Sequence, residues 1–308
     1  MQAVLIVLPI FLLVGLGAVL RYKGALSQQT LRENNFILYW FAMPATLLRG
    51  ILGADMDVLQ NPSFVIAVWL PYLISIALVW IAGRRGETRQ RFATLTLSAV
   101  RGNHFFAGIP IVHLAMGQPG VEAGTLILAF SLVIMQLISI GSGQLALFGK
   151  PSWSTMRATV FQLFKNPLFL SCLFGLALVF AGLNRMPPWL DSTLDILADI
   201  STGMALLTLG AGLHFENSLK MFLSVWKIAL VKLVVHPVVT ILVFLAFGLS
   251  TQMIQVGVLL AAMPVGVNTA IIAQEMDMDD EYCARGIAIT TFCAMLSLPV
   301  WIHLLGLV

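Results

Sequence analysis

Two stretches of polar and helix-breaking residues interrupt apolar sequence at comparable depth in the two halves of the 308-residue chain. They are Arg101-Gly102-Asn103-His104-Phe105-Phe106-Ala107-Gly108-Ile109-Pro110 and Pro264-Val265-Gly266-Val267-Asn268. A helix broken there leaves carbonyls at the end of its first half and amide groups at the start of its second. Asn103 and Asn268 add side-chain donors and acceptors, while Gly108, Pro110, Pro264 and Gly266 shape the breaks. The amide ends carry partial positive charge and favour an anion such as a carboxylate. In a bilayer, irregular backbone survives only where protein buries it or a watery cavity solvates it. A matched pair of breaks therefore points to a binding site near the midplane. The plainer alternative is that Pro110 and Pro264 only kink packed helices.

The polar residues around these breaks each admit two roles. An arginine as deep as Arg101 costs about 2.5–3.5 kcal/mol on the insertion scale and needs a partner. It serves either as counter-charge to an anionic substrate, or as a cap on the carbonyl end of the first half-helix or the partner of a buried acid. His104, inside the first break, suits substrate contact or proton coupling, because imidazole titrates near neutrality. Lys232 and His236 are four apart, hence on one helix face, directly before Pro237. Lys232 either takes part in coupling or snorkels to the boundary; His236 either meets substrate or bonds a neighbouring carbonyl. Gln136 lines a cavity or ties two helices together. Asp191, Asp195 and Asp199 follow Pro187-Pro188 as a stripe that complements a helix start, and Asp199 alone is deep enough for cation or proton coupling.

Enzyme chemistry finds no foothold. The sequence has no HExxH, GxSxG or GxxxxGK[ST] motif, so no catalytic residue, bound metal or cofactor is expected, and any pumping must draw on gradients. Cys172, Cys283 and Cys293 show neither zinc nor disulfide spacing and suit packing. Charged residues make up 10% of the chain and hydrophobic ones 59%, with a mean hydropathy of +0.95, values of an integral membrane protein. The formal charge of +3 is scattered through short loops, which excludes a nucleic-acid face.

Apolar runs of about 20 residues predict an all-α membrane protein of ten spans, at 3-20, 33-52, 63-83, 92-115, 122-148, 167-184, 190-213, 221-248, 254-274 and 284-306. With the N-terminus outside, inner loops collect most of the Lys and Arg while the outer side holds only Arg49 and Arg185. Both termini are then outside. Ten spans divide into five plus five, so the halves enter from opposite faces as an inverted repeat, 1-148 and 166-308, joined by a cytoplasmic linker at 149-165. Both breaks fall roughly 15–18 Å deep, close to the middle of the core.

These residues resemble the auxin efflux carrier family, which includes plant auxin exporters and bacterial malonate or malate carriers. The resemblance rests on Arg101 to Pro110, on Ala262-Met263-Pro264-Val265-Gly266-Val267-Asn268, on Phe41-Ala42-Met43-Pro44 and on His236-Pro237. It implies a scaffold of spans 1, 2, 6 and 7, and a transport domain of spans 3-5 and 8-10. That domain would carry a crossover site of Asn103, Pro110, Pro264 and Asn268 between the two sides. The implied activity is secondary transport of a small organic anion, a malonate-like dicarboxylate among the candidates, in a bacterial inner membrane, with proton or sodium as coupling ion and a homodimer as the assembly. The short stretch Lys150 to Lys165 lacks the long plant loop, and His104 is this chain's own feature. A sodium symporter resembling bile-acid carriers is the near rival; a non-transporting membrane sensor or assembly protein is the distant one.

Overall fold

The computed structural model describes residues 2–60, 63–183, 185–212 and 218–307. Positions 184, 213 and 308, where expected spans or the second repeat end, lie outside them. Helices follow the apolar runs: α1 (Gln2–Tyr22), α2 (Gln28–Ile37), α3 (Met43–Gly53), α4 (Ser63–Leu78), α5 (Arg89–Ser98) and α6 (Ile109–Phe148). The expected linker holds a helix of its own, α7 (Trp153–Leu163). Then come α8 (Pro167–Phe180), α9 (Pro188–Ala211), α10 (Ser218–Leu230), α11 (His236–Ala246), α12 (Thr251–Ala261), α13 (Thr269–Glu275) and α14 (Asp280–Leu304).

Six stretches among the described residues are long and apolar enough to cross a bilayer: Gln28–Gly53, Ser63–Gly83, His104–Phe148, Pro188–Ala211, Phe222–Ala246 and Asp280–Leu304. Leu8–Tyr22 and Thr251–Ala261 are shorter apolar helices, and α7 and α8 form a pair bent by 64°. At 1.5 Å per residue, His104–Phe148 would reach about 68 Å, twice the hydrocarbon thickness. It divides at Gly117, whose φ of 65° and ψ of −159° no helix accommodates.

Local chemistry sets where these helices begin and bend. Side chains of Ser27, Thr88, Ser152, Asn166, Ser250 and Asp279 each accept a backbone N–H of the first turn, capping α2, α5, α7, α8, α12 and α14. Three prolines near helix starts, Pro44, Pro110 and Pro237, are each preceded by a five-residue π turn: Leu38–Ala42, His104–Gly108 and Val231–Val235. Proline removes one N–H and its ring crowds the carbonyl a turn earlier, so the preceding turn widens.

The helices pack in two groups. In one, α9 lies against α1, α2 and α3, and α3 against α8. In the other, α6 packs on α4, α5 and α12, α11 on α4 and α12, and α14 on α10 and α13. Lipid supplies little hydrophobic drive between helices, so close approach through small residues does the joining. Where the groups meet along α3 and α6, a Cβ on Gly50 would run into the Thr125 side chain, and one on Gly53 would stand 2.6 Å from the Glu122 carboxylate.

Candidate functional site

The two breaks meet. Ala99 to Asn103 leads from α5 into the π turn at His104, and Ala262 to Asn268 leads from α12 into α13. Gly102 and Val265 form an antiparallel bridge: Asn103 N donates to the Pro264 carbonyl at 2.8 Å, and Gly266 N to the Arg101 carbonyl at 2.9 Å. Val265 N donates to Thr290 Oγ1 of α14 at 3.1 Å. Backbone groups freed by each break thus satisfy one another, as burial requires. Within the first break, the missing side chain of Gly102 leaves room for the imidazole of His104, with which a Cβ would collide. Gly108 brings the π turn equally close to α12, since a Cβ would lie 2.9 Å from a Leu260 methyl.

Side chains at the crossing are buried yet incompletely bonded. Arg101, 2% exposed, donates through Nη1 to Gln136 Oε1 and to Ser139 Oγ at 3.2 Å. Its Nε, Asn103 Nδ2, both ring nitrogens of His104, Thr208 Oγ1 and Thr269 Oγ1 have no partner among the described residues. Native proteins leave few such groups, and each calls for an explanation. Here most can donate: a guanidinium N–H, an amide, an imidazole and two hydroxyls. Asn103 and Thr208 open onto a cavity of about 630 Å³, a size typical of small-molecule sites. Its walls come from α2, α9 and α14, with Phe106 and Val267 at the breaks, and Arg32, Glu281 and Arg285 also line it.

The other expected residues divide. Pro110 is buried in the first turn of α6 and Pro264 lends its carbonyl to the bridge; Gly266 is buried there, while Asn268 is exposed beside Val267. Gln136 is drawn to Arg101, tying α6 to the first break. Lys232 does not snorkel: it is fully buried, and its Nζ donates to the Ala261 carbonyl, the last of α12. His236 is held between α4 and α11, its Nδ1 2.9 Å from Ser75 Oγ and its ring edge-on to Tyr72, and it does not line the cavity. Asp199 is exposed and nine positions before Thr208, about 180° around α9 from the cavity wall. Asp191 and Asp195 pair with Arg49 of α3.

Thr208, Thr291 and the α2 residues Gln28, Arg32 and Asn35 line the cavity without having been singled out in the sequence. One signal was there: Gln28, Arg32 and Asn35 recur at i, i+4, i+7, a polar stripe on one face leading into an apolar span. Thr208 and Thr290 gave none, because isolated threonines in apolar helices usually bond their own backbone.

Six stretches of spanning length, two chain breaks that touch, and a cavity lined by residues of both breaks are the features of a multi-pass membrane transporter. The description "Membrane transport protein" matches residues 2–152 and 149–302, and the chain belongs to that family. It is 24% identical over 314 residues to an uncharacterized transporter of Methanothermobacter thermautotrophicus, covering 96% of each chain. It is 25% identical over 284 residues to a protein of Rhizobium meliloti described as "Putative malonate transporter", covering 88% of this chain and 86% of that one. Over 156 residues, 47% of this chain and 24% of the other, it is 30% identical to auxin efflux carrier component 3 of Arabidopsis thaliana. The resemblance read from the four stretches of sequence is thus shown, over residues 2–302.

Proposed function

We propose that this protein is a secondary carrier that moves a small organic carboxylate across the bacterial inner membrane by alternating access of the crossing between the two breaks. The observation that carries this reading is the set of buried, unpartnered donors around Arg101, Asn103 and His104, with Asn103 opening onto the cavity. A carboxylate presents only acceptors and would complete them with charge-assisted hydrogen bonds. A helix that opens after Asn103 also favours an anion at its start. The name carried by the Rhizobium meliloti relative makes malonate the first substrate to try.

The reading includes ten spans in two inverted repeats, 1-148 and 166-308, with both termini outside. Support comes from the single family description that matches each half, and from the antiparallel sense of the bridge. The group of α1, α2, α3, α8 and α9 is the scaffold, through which two copies pair, and the rest is the moving domain. Glycines 50 and 53 let Thr125 and Glu122 of α6 pack closely on α3 where the two groups meet. The cavity, reaching Arg32 and Arg285, then faces the cytoplasm. The test is uptake of radiolabelled carboxylates into proteoliposomes, preceded by a thermal-shift screen of the purified protein, since a ligand stabilises the state that binds it. Stabilisation and uptake by at least one carboxylate, saturable and blocked by unlabelled compound, are expected. No stabilisation and no uptake across mono-, di- and tricarboxylates would remove the reading.

A further inference from the structure

We propose that Lys232 sets the valence of the cargo: with Arg101 it supplies two buried positive charges that a dianion, a small dicarboxylate, neutralises. The inference rests on the carrier reading above and adds which carboxylates the site accepts.

It begins from an inventory. Among the described residues, Arg101 and Lys232 are the only Arg, Lys, Asp or Glu side chains that are buried, at 2% and 0% exposure, and no carboxylate is buried with them. The partners they do have are neutral. Arg101 bonds the Gln136 amide and the Ser139 hydroxyl, and Lys232 bonds the Ala261 carbonyl. Of the other buried titratable groups nearby, His104 and His236 can add positive charge but not negative, and Cys283 and Tyr72 are uncharged in their protonated forms. Burying one such charge without a counter-ion is costly, and burying two of like sign is worse.

Placement makes the surplus functional. Arg101 belongs to the first break, and Lys232 holds the residue at which the second begins. Each of the two cations therefore adjoins one of the breaks. The carbonyl end of α12 offers Lys232 about half a unit of negative charge, which leaves the rest for something not built into the protein. In a low-dielectric interior an anion need not touch Lys232 to feel it. A monoanion would leave one cation uncompensated as the loaded domain moves; a dianion leaves none.

The rival account is that Lys232 merely caps α12. Lys232→Gln separates the two, because the amide can still donate to a carbonyl but carries no charge, whereas Lys232→Arg keeps the charge. The experiment compares isosteric pairs that differ by one charge, malonate with malonamate and succinate with succinamate, as competitors of labelled uptake into proteoliposomes. In the wild-type protein the dicarboxylate should compete about tenfold or more better than its monoamide. Lys232→Arg should retain that preference and Lys232→Gln should lose most of it, with the thermal midpoint of each variant measured alongside. The wild-type comparison stands even if a variant does not fold. Equal competition by acid and monoamide in the wild type, or an undiminished preference in folded Lys232→Gln, would overturn the inference and leave the carrier reading in place. Absence of any carboxylate uptake would instead remove the carrier reading on which it rests.

Discussion

The two breaks meet as partners but are built differently. At the second, the chain is tied down: Pro264 accepts from Asn103, Val265 donates to Thr290, Gly266 donates to Arg101, and Lys232 holds the last carbonyl of α12. At the first, the backbone is equally well bonded, but the side chains of Arg101, Asn103 and His104 keep unused capacity. On the proposed reading the first break carries most of the recognising groups and the second, where Thr269 Oγ1 alone is left over, acts mainly as a brace. Two breaks that meet thus need not divide their chemistry evenly. Bonds that fix the second break let the first hold unsatisfied donors in place, which is the preorganisation an anion site needs.

That contrast can be broken by substitution. Arg101→Ala removes a charge beside the crossing and should lower carboxylate uptake by about a hundredfold at equal reconstitution; Asn103→Ala, which removes an uncharged donor, should lower it by about tenfold. Uptake near wild type in both would show that the first break recognises nothing. Thr290→Val leaves the buried Val265 amide without a partner and should cost about 1–3 kcal/mol of stability, seen as a lower thermal midpoint, while Thr290→Ser stays near wild type. If Thr290→Val abolished uptake at an unchanged midpoint, the second break would be more than a brace. The smallest effect belongs to Asn268→Ala. Asn268 is exposed and caps nothing with its side chain, so uptake should fall by about threefold or less. A loss as large as that of Asn103→Ala would make the two breaks equivalent after all.

What the sequence announced were the features with a local cause. Proline and glycine mark the breaks because their effects on backbone act within one turn, so both interruptions and Gly102 were legible. The ends of the helices were legible only to within several residues: the spans expected at 33-52 and 284-306 start at Gln28 and Asp280, and the capping side chains were not read from the sequence. The split at Gly117 was bracketed by the gap between 115 and 122. Hidden were destinations that depend on which helices pack together. Lys232 has a stem long enough to reach the boundary, and only the position of the Ala261 carbonyl turns it inward. His236 shares its helix face, yet Ser75 and Tyr72 of α4 take it up. The cavity wall draws on α2, α9 and α14, far apart along the chain, so no window of sequence contains it.

Among the described residues, the closest glycine contacts lie between α1 and α9. Gly17 of α1 faces the Leu207 carbonyl of α9, and Gly210 of α9 faces the Val14 carbonyl of α1, each so close that a methyl on either glycine would overlap backbone. Thr208 and Leu209, between those two contact points, form part of the cavity wall. The depth of the chamber is therefore gauged by a pair of hydrogen atoms on its far side. An alanine at either glycine would act as a shim, tilting α9 and reshaping the vestibule without altering a single group that meets the guest.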